Sequence, residues 1–105
     1  MLKNHLIDDV VCEIPVSEYQ ERLARTQERM KEENFDALII YSNPWHMSNV
    51  FWLSNFRAFD GISPDPALLI VPLEGDPTLF CEKPILPYCR DMTWIQDVRA
   101  VRPGF

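Results

Sequence analysis

Three rhythms of apolar and polar positions run along this chain. Between Ser17 and Asn34, the side chains Tyr19, Leu23, Thr26 and Met30 recur at i, i+4, i+7 and i+11, and most positions between them are charged. That spacing predicts an amphipathic helix with one narrow buried stripe. Ser17-Glu-Tyr-Gln20 reads as a capping box at its start. Asn34 reads as its stop, because Asn tolerates the left-handed backbone found just past a helix end. Glu18–Arg22 and Glu21–Arg25 stand in the favourable i, i+4 order, so the charged surface reads as a solvated face laced with ion pairs.

The second rhythm is the unbroken apolar run. Phe35-Asp-Ala-Leu-Ile-Ile-Tyr41 is too short for a helix and β-branched at Ile39 and Ile40, which predicts a strand buried on both faces. Ala67-Leu-Leu-Ile-Val71 predicts a second buried strand. Glu74-Gly-Asp-Pro77 is a turn cluster, and Thr78 to Glu82 is the return strand of a hairpin. Asp97 to Val101 shows the third rhythm, the simple alternation of a half-exposed strand. Between these runs, Asn43 and Pro44 have the chemistry of an N-cap and a first helical residue, so a short helix is expected through about Val50, with extended chain near Trp52. Phe56 to Pro66 reads as a loop. Lys83 to Met92 reads as a short helix interrupted by Pro84 and Pro87. The order predicts an α/β fold, a mixed β-sheet flanked by helices.

Composition narrows the function. The chain has 105 residues, 47% hydrophobic and 25% charged, with a net charge of −6. That fits one soluble domain. The acidic balance argues against nucleic acid, which calls for clustered Lys and Arg. No apolar run approaches the roughly 20 residues of a membrane span, and the N-terminus lacks the apolar core of a signal peptide. Three cysteines, Cys12, Cys81 and Cys89, without Cys-x-x-Cys spacing, read as reduced thiols in a cytoplasmic protein. With three glycines in all, neither Gly-rich phosphate-loop pattern can be written.

Candidate chemistry is sparse. The two histidines, His5 and His46, are far apart, and no metal-ligand spacing is present. His46 is read as a polar cap or surface residue, with a functional role as the alternative. Cys81 falls in a buried strand, where thiols are inert. Cys89 precedes Arg90 and Asp91, which could lower its pKa, but no base stands beside it. The most unusual stretch runs from Trp45 to Phe59, with five aromatic rings and the single full charge of Arg57.

The order of three segments, Arg22-Leu-Ala-Arg25…Met30-Lys-Glu-Glu-Asn-Phe-Asp-Ala-Leu-Ile-Ile40, Ser42…Pro44…Asn49-Val-Phe-Trp-Leu-Ser-Asn-Phe56 and Leu68 to Phe80, resembles the creatinase/prolidase N-terminal domain. The likeness runs from about Ser17 to Val101. It implies a ribonuclease H-like layout, with an arm at 1–16, the domain at 17–102 and the start of a linker at 103–105. In that family the domain precedes a pita-bread catalytic domain in Xaa-Pro dipeptidases and aminopeptidases and in creatinases. The resemblance therefore implies a non-catalytic domain of a dimeric, metal-dependent hydrolase acting on a small peptide or amidine-like substrate. The two divalent ions (Mn, Co or Zn) would sit on that other domain. The family has Gly where this chain has Asn34 and Asn55, and Asn is the best non-Gly residue for positive φ. Val50, Trp52 and Leu53 match apolar core positions of the family. Phe56, Arg57, Phe59 and Asp60 match the loop that reaches toward the neighbouring subunit's active site, so these four are the candidates for substrate or dimer contacts. A plain surface loop is the competing reading. An alternative from another class is a stand-alone protein- or peptide-binding module without enzymatic activity. Nothing in the residues supports a stand-alone enzyme.

Overall fold

The structure, a computed structural model, describes residues 14–43, 45–57 and 66–102. The expected arm up to residue 13, Pro44, the loop at 58–65 and the linker at 103–105 lie outside them.

The described chain runs α1 (Val16–Glu32), β1 (Ala37–Ser42), α2 (Ser48–Ser54), β2 (Ala67–Pro72), β3 (Thr78–Glu82), a 3₁₀ turn (Lys83–Ile85), α3 (Leu86–Met92) and β4 (Asp97–Val101). The four strands form one sheet in the order β1-β2-β3-β4. The first three are antiparallel neighbours, and β4 joins β3 in parallel, with Leu79 opposite Val98. The expected mixed α/β sheet is what forms.

The helical stripe is placed as its spacing predicts. Tyr19, Leu23 and Met30 are buried along α1. The expected Ser17 cap does not form. The cap falls two residues earlier, with Pro15 in the N-cap position and no side chain accepting from the first turn. Glu18 pairs with Arg22 at 3.2 Å, while Arg25 turns to the same Glu18 carboxylate at 3.6 Å instead of to Glu21. The other end behaves as expected. Asn34 takes φ 62°, its amide donates to the Lys31 carbonyl, and Phe35 N donates to Met30 O at 2.8 Å. This pair of bonds is the Schellman motif that a left-handed residue makes possible.

One core holds the layers together. Leu69 and Val71 of β2, Leu79 and Cys81 of β3 and Val98 of β4 point inward and join Leu23, Met30, Val50, Leu53 and Cys89 from the three helices in a single cluster. Because every helix contributes to this one cluster, the described helices cover one sheet face. The opposite face explains the main departure in the strands. β1 was expected to be buried on both sides, but it lies at the sheet edge and its outward residues meet no covering layer among the described residues. Ile39 is 70% exposed. The central β2 is buried at Ala67, Leu69 and Val71 and half-buried at the residues between. Gly75, at φ 96°, makes the β2–β3 turn, and Gln27 Nε2 reaches from α1 to the carbonyls of Pro72 and Gly75. That contact fixes the hairpin against the helix.

Candidate functional site

The segment singled out in the sequence is built around α2, and each end of that helix is made differently. At the entrance, Asn43 does not cap a helix. Its Oδ1 accepts from the amides of Trp45 (3.0 Å) and His46 (2.8 Å), and Asn43 and His46 form an isolated antiparallel bridge. This side-chain turn competes with helix initiation at Asn43, so α2 begins only at Ser48. The turn leaves Trp45 and His46 exposed. The helix then continues through Trp52, where extended chain was expected. Val50 and Leu53 are core as the resemblance implied, but Trp52 is 43% exposed. A helix carries positions 50 and 53 on one side and turns 52 away from it.

At the exit, the last carbonyls of α2 lack helical partners. Other elements supply them. Phe51 O accepts from the Asn55 amide at 2.9 Å. Trp52 O accepts from Arg22 Nη1 at 2.8 Å and Leu53 O from Trp94 Nε1 at 2.7 Å. Ser54 O accepts from the Thr93 hydroxyl. Arg22 also lies over two rings, 5.1 Å from the Tyr19 centroid and 5.0 Å from the Trp52 centroid, while Tyr19 stacks on Trp94. In sequence, Arg22 shows only its ion-pair spacing with Glu18. Its tie to α2 crosses 30 residues and leaves no local signal.

Asn55 then turns the chain. It takes φ 60°, as expected of a residue where the resemblance puts Gly. Its side chain adds what Gly could not. Tyr19 Oη donates to Asn55 Oδ1 at 3.0 Å, and Asn55 Nδ2 donates to Met92 O at 3.1 Å. One amide thus bridges α1, the exit of α2 and the end of α3.

The candidate residues follow. Phe56 is fully buried, edge-on to Tyr88 at 6.2 Å, so its ring belongs to the core and offers no surface for a contact. Arg57 is exposed, with its guanidinium 5.8 Å from the Phe51 ring centroid. Phe59 and Asp60 lie outside the described residues. The structure therefore separates Phe56 from Arg57: one anchors the chain, and the next presents an exposed cation.

Two further features bear on chemistry. Among the described residues, no three His, Cys, Asp or Glu side chains converge as metal ligands would. Cys89 is not activated by Arg90. Its hydrogen bond to Cys81 and its burial push its pKa far up, against a smaller pull from Arg90. A hollow of about 370 Å³ opens between α1, β1 and α2, with Met30, Phe35, Leu38 and Trp52 along it; Arg25 and Arg29 also line it, their guanidinium groups paired with Glu18 and with Glu32 and Glu33. None of the described helices is long and apolar enough to cross a membrane.

This is an α/β domain whose aromatic segment is locked into place by side chains from α1 and from the segment after α3. The model of the creatinase/prolidase N-terminal domain matches residues 22–101, and the chain belongs to that family. Two solved structures share the fold at 14% identity. The aminopeptidase P (Xaa-Pro aminopeptidase) of Streptococcus thermophilus aligns with a TM-score of 0.61 over 79% of this chain and 56% of its own. The creatinase/prolidase-like N-terminal domain of a protein from Corynebacterium diphtheriae, assigned as a metallopeptidase, aligns with a TM-score of 0.65 over 80% of this chain and 60% of its own. The chain thus spans less than two thirds of either structure. No curated protein matches the sequence.

The two left-handed asparagines generate a contrast that unfolding in denaturant can measure. Asn34→Gly is expected to be neutral or stabilising, because backbone conformation is the residue's main contribution. Asn55→Gly keeps the same backbone freedom but is expected to cost about 1–2 kcal/mol, because it removes the bridging amide and leaves Tyr19 Oη and Met92 O without it. Equal behaviour of the two variants would show that the bridge contributes nothing.

The second prediction concerns alkaline pH. Burial raises the Tyr19 pKa above its ordinary 10.0, and the Arg22 charge only partly offsets this. The folded state therefore favours the neutral hydroxyl. Its contribution is complete below pH 10.0 and is lost as pH rises through the higher folded value. Tyr19→Phe should lower stability at neutral pH by about 1 kcal/mol and flatten the alkaline fall in melting temperature. An unchanged alkaline limb would refute this.

Proposed function

We propose that this domain is the non-catalytic N-terminal domain of a cytoplasmic, metal-dependent hydrolase of the Xaa-Pro dipeptidase, Xaa-Pro aminopeptidase or creatinase type, where it contributes to dimerisation and substrate access. Family membership over residues 22–101 supports the class. The observation that carries the role is the Phe56–Arg57 pair. A ring fixed in the core holds the backbone, and the adjoining Arg57 stands exposed. A cation held this way can meet the carboxylate of a small peptide or a partner subunit without much ordering cost. The pita-bread domain would carry the two divalent ions, and hydrolysis belongs there. Arg57, with Phe59 and Asp60 further along the loop, would act at its approach.

A second reading rests on the hollow beside α1. Its apolar walls of Met30, Phe35, Leu38 and Trp52 suit an apolar side chain of a peptide, as a stand-alone binding module would use.

In the full-length parent enzyme, Arg57→Ala is expected to change folding stability by no more than about 0.5 kcal/mol, as for a surface site. It should lower kcat/KM by about 1.5–3 kcal/mol, mostly through KM, as a charge-assisted contact is lost. Mixing Arg57→Ala subunits with subunits lacking a metal ligand should restore part of the activity if the contact crosses the dimer. Unchanged kinetics in a normal dimer would leave Arg57 as plain surface. The isolated 105-residue chain is expected to hydrolyse no Xaa-Pro dipeptide with added Mn²⁺, Co²⁺ or Zn²⁺. Metal-dependent turnover that follows this chain through purification would overturn the assignment.

A further inference from the structure

We propose that the free edge of β1 pairs antiparallel with the same edge of a second copy of this chain, about a two-fold axis at Ile39. This pairing would serve the dimerisation suggested above but does not rest on the hydrolase assignment. Leu73 N donates to Asp36 O at 3.0 Å, one step beyond the Ala37–Pro72 pair. Backbone groups alternate sides along an antiparallel strand, so Leu38, Ile40 and Ser42 turn theirs to β2. Ala37, Ile39 and Tyr41 turn their N–H and C=O groups to the free edge, where no described strand meets them. Both ends of this row are closed. Asn43, next in the same phase, exchanges its N–H and C=O with those of His46, and the Phe35 amide is held by Met30 O. Three residues are left, with Ile39 at the centre.

That row is complementary to itself. With Ile39 opposite the partner's Ile39, Ala37 faces the partner's Tyr41, and each pair exchanges both of its hydrogen bonds. A slip by two residues sends one end onto Asn43 or Phe35, whose amides are already bonded. A slip by one turns the outward face of one copy to the inward face of the other. The side chains agree with the unslipped register. The strand carries no charge. On the outward face the small Ala37 leaves room for the ring of the partner's Tyr41, and on the inward face Leu38 meets the partner's Ile40. Apolar exposure gathers at the same place. Of the large apolar side chains exposed among the described residues, all but two, at the entry to α1, belong to β1, to its ends or to the hollow beside it: Phe35, Ile39, Tyr41, Trp45 and Trp52. Exposed apolar groups around an unmet sheet edge mark an interface, and a two-fold pair is the commonest closed form.

The test uses the whole chain in a Cys12→Ser background. Sedimentation equilibrium at high salt, where repulsion between the acidic copies is screened, is expected to show a monomer–dimer equilibrium. Ile39→Lys should weaken it at least about tenfold. Ile39 is 70% exposed, so circular dichroism should show that variant folded. Register is read by disulfides, which the spacing of about 5.5 Å between paired Cα atoms permits. Ile39→Cys should cross-link to its own copy. Ala37→Cys and Tyr41→Cys should cross-link at least about tenfold faster when mixed than either does alone. A chain still monomeric at about 1 mM, a dimer indifferent to Ile39→Lys, or cross-linking at equal rates in every combination would each overturn the proposal.

Discussion

The arrangement depends on the unmet carbonyls at the end of α2. A helix of seven residues has little stability of its own. This one is held because Arg22, Thr93 and Trp94 donate to its last three carbonyls, and the Asn55 amide closes the turn before them. Those donors come from α1 and from the segment after α3, so three elements distant in sequence are ordered by one small cluster of acceptors. Phe56 enters the core directly after it. The position of Arg57 is therefore inherited from hydrogen bonds made at the end of the helix.

Much of the fold was legible because the signals were local. The stripe of Tyr19, Leu23 and Met30 depends only on helical period, and the β2–β3 hairpin only on a turn cluster between apolar runs. Both left-handed asparagines were legible once the resemblance put Gly at their positions. The Ser17 capping box failed because the N-cap position falls two residues earlier, at Pro15. Asn43 misled for a related reason: a side chain able to cap a helix can equally close a turn, and here it does the latter.

What the sequence could not carry was neighbour count. An apolar run such as Ala37 to Tyr41 reads alike at the centre or the edge of a sheet, and only the strand order puts β1 at the edge. The same gap divides the candidate site. Phe56 and Arg57 looked like one cluster of loop residues, yet burial sends the ring inward and leaves the cation outside. Arg22, spaced for an ion pair with Glu18, makes that pair and also caps a helix and covers two rings. Asn55 was legible as backbone but not as a bridge, because its partners Tyr19 and Met92 are separated from it by 36 and 37 residues.

The exposed side of β1 has a colloidal consequence. Its six residues, Ala37 to Ser42, include no charge and no proline, the usual devices that stop one sheet edge from recruiting another. Among the described residues, no strand pairs with that edge. What holds copies apart at a distance is then the net charge of −6 carried by the whole chain. Such repulsion reaches about 10 Å at 0.1 M salt and only about 3 Å at 1 M. Protection by overall charge rather than by local chemistry makes the solubility of this domain a property of its solvent as much as of its fold.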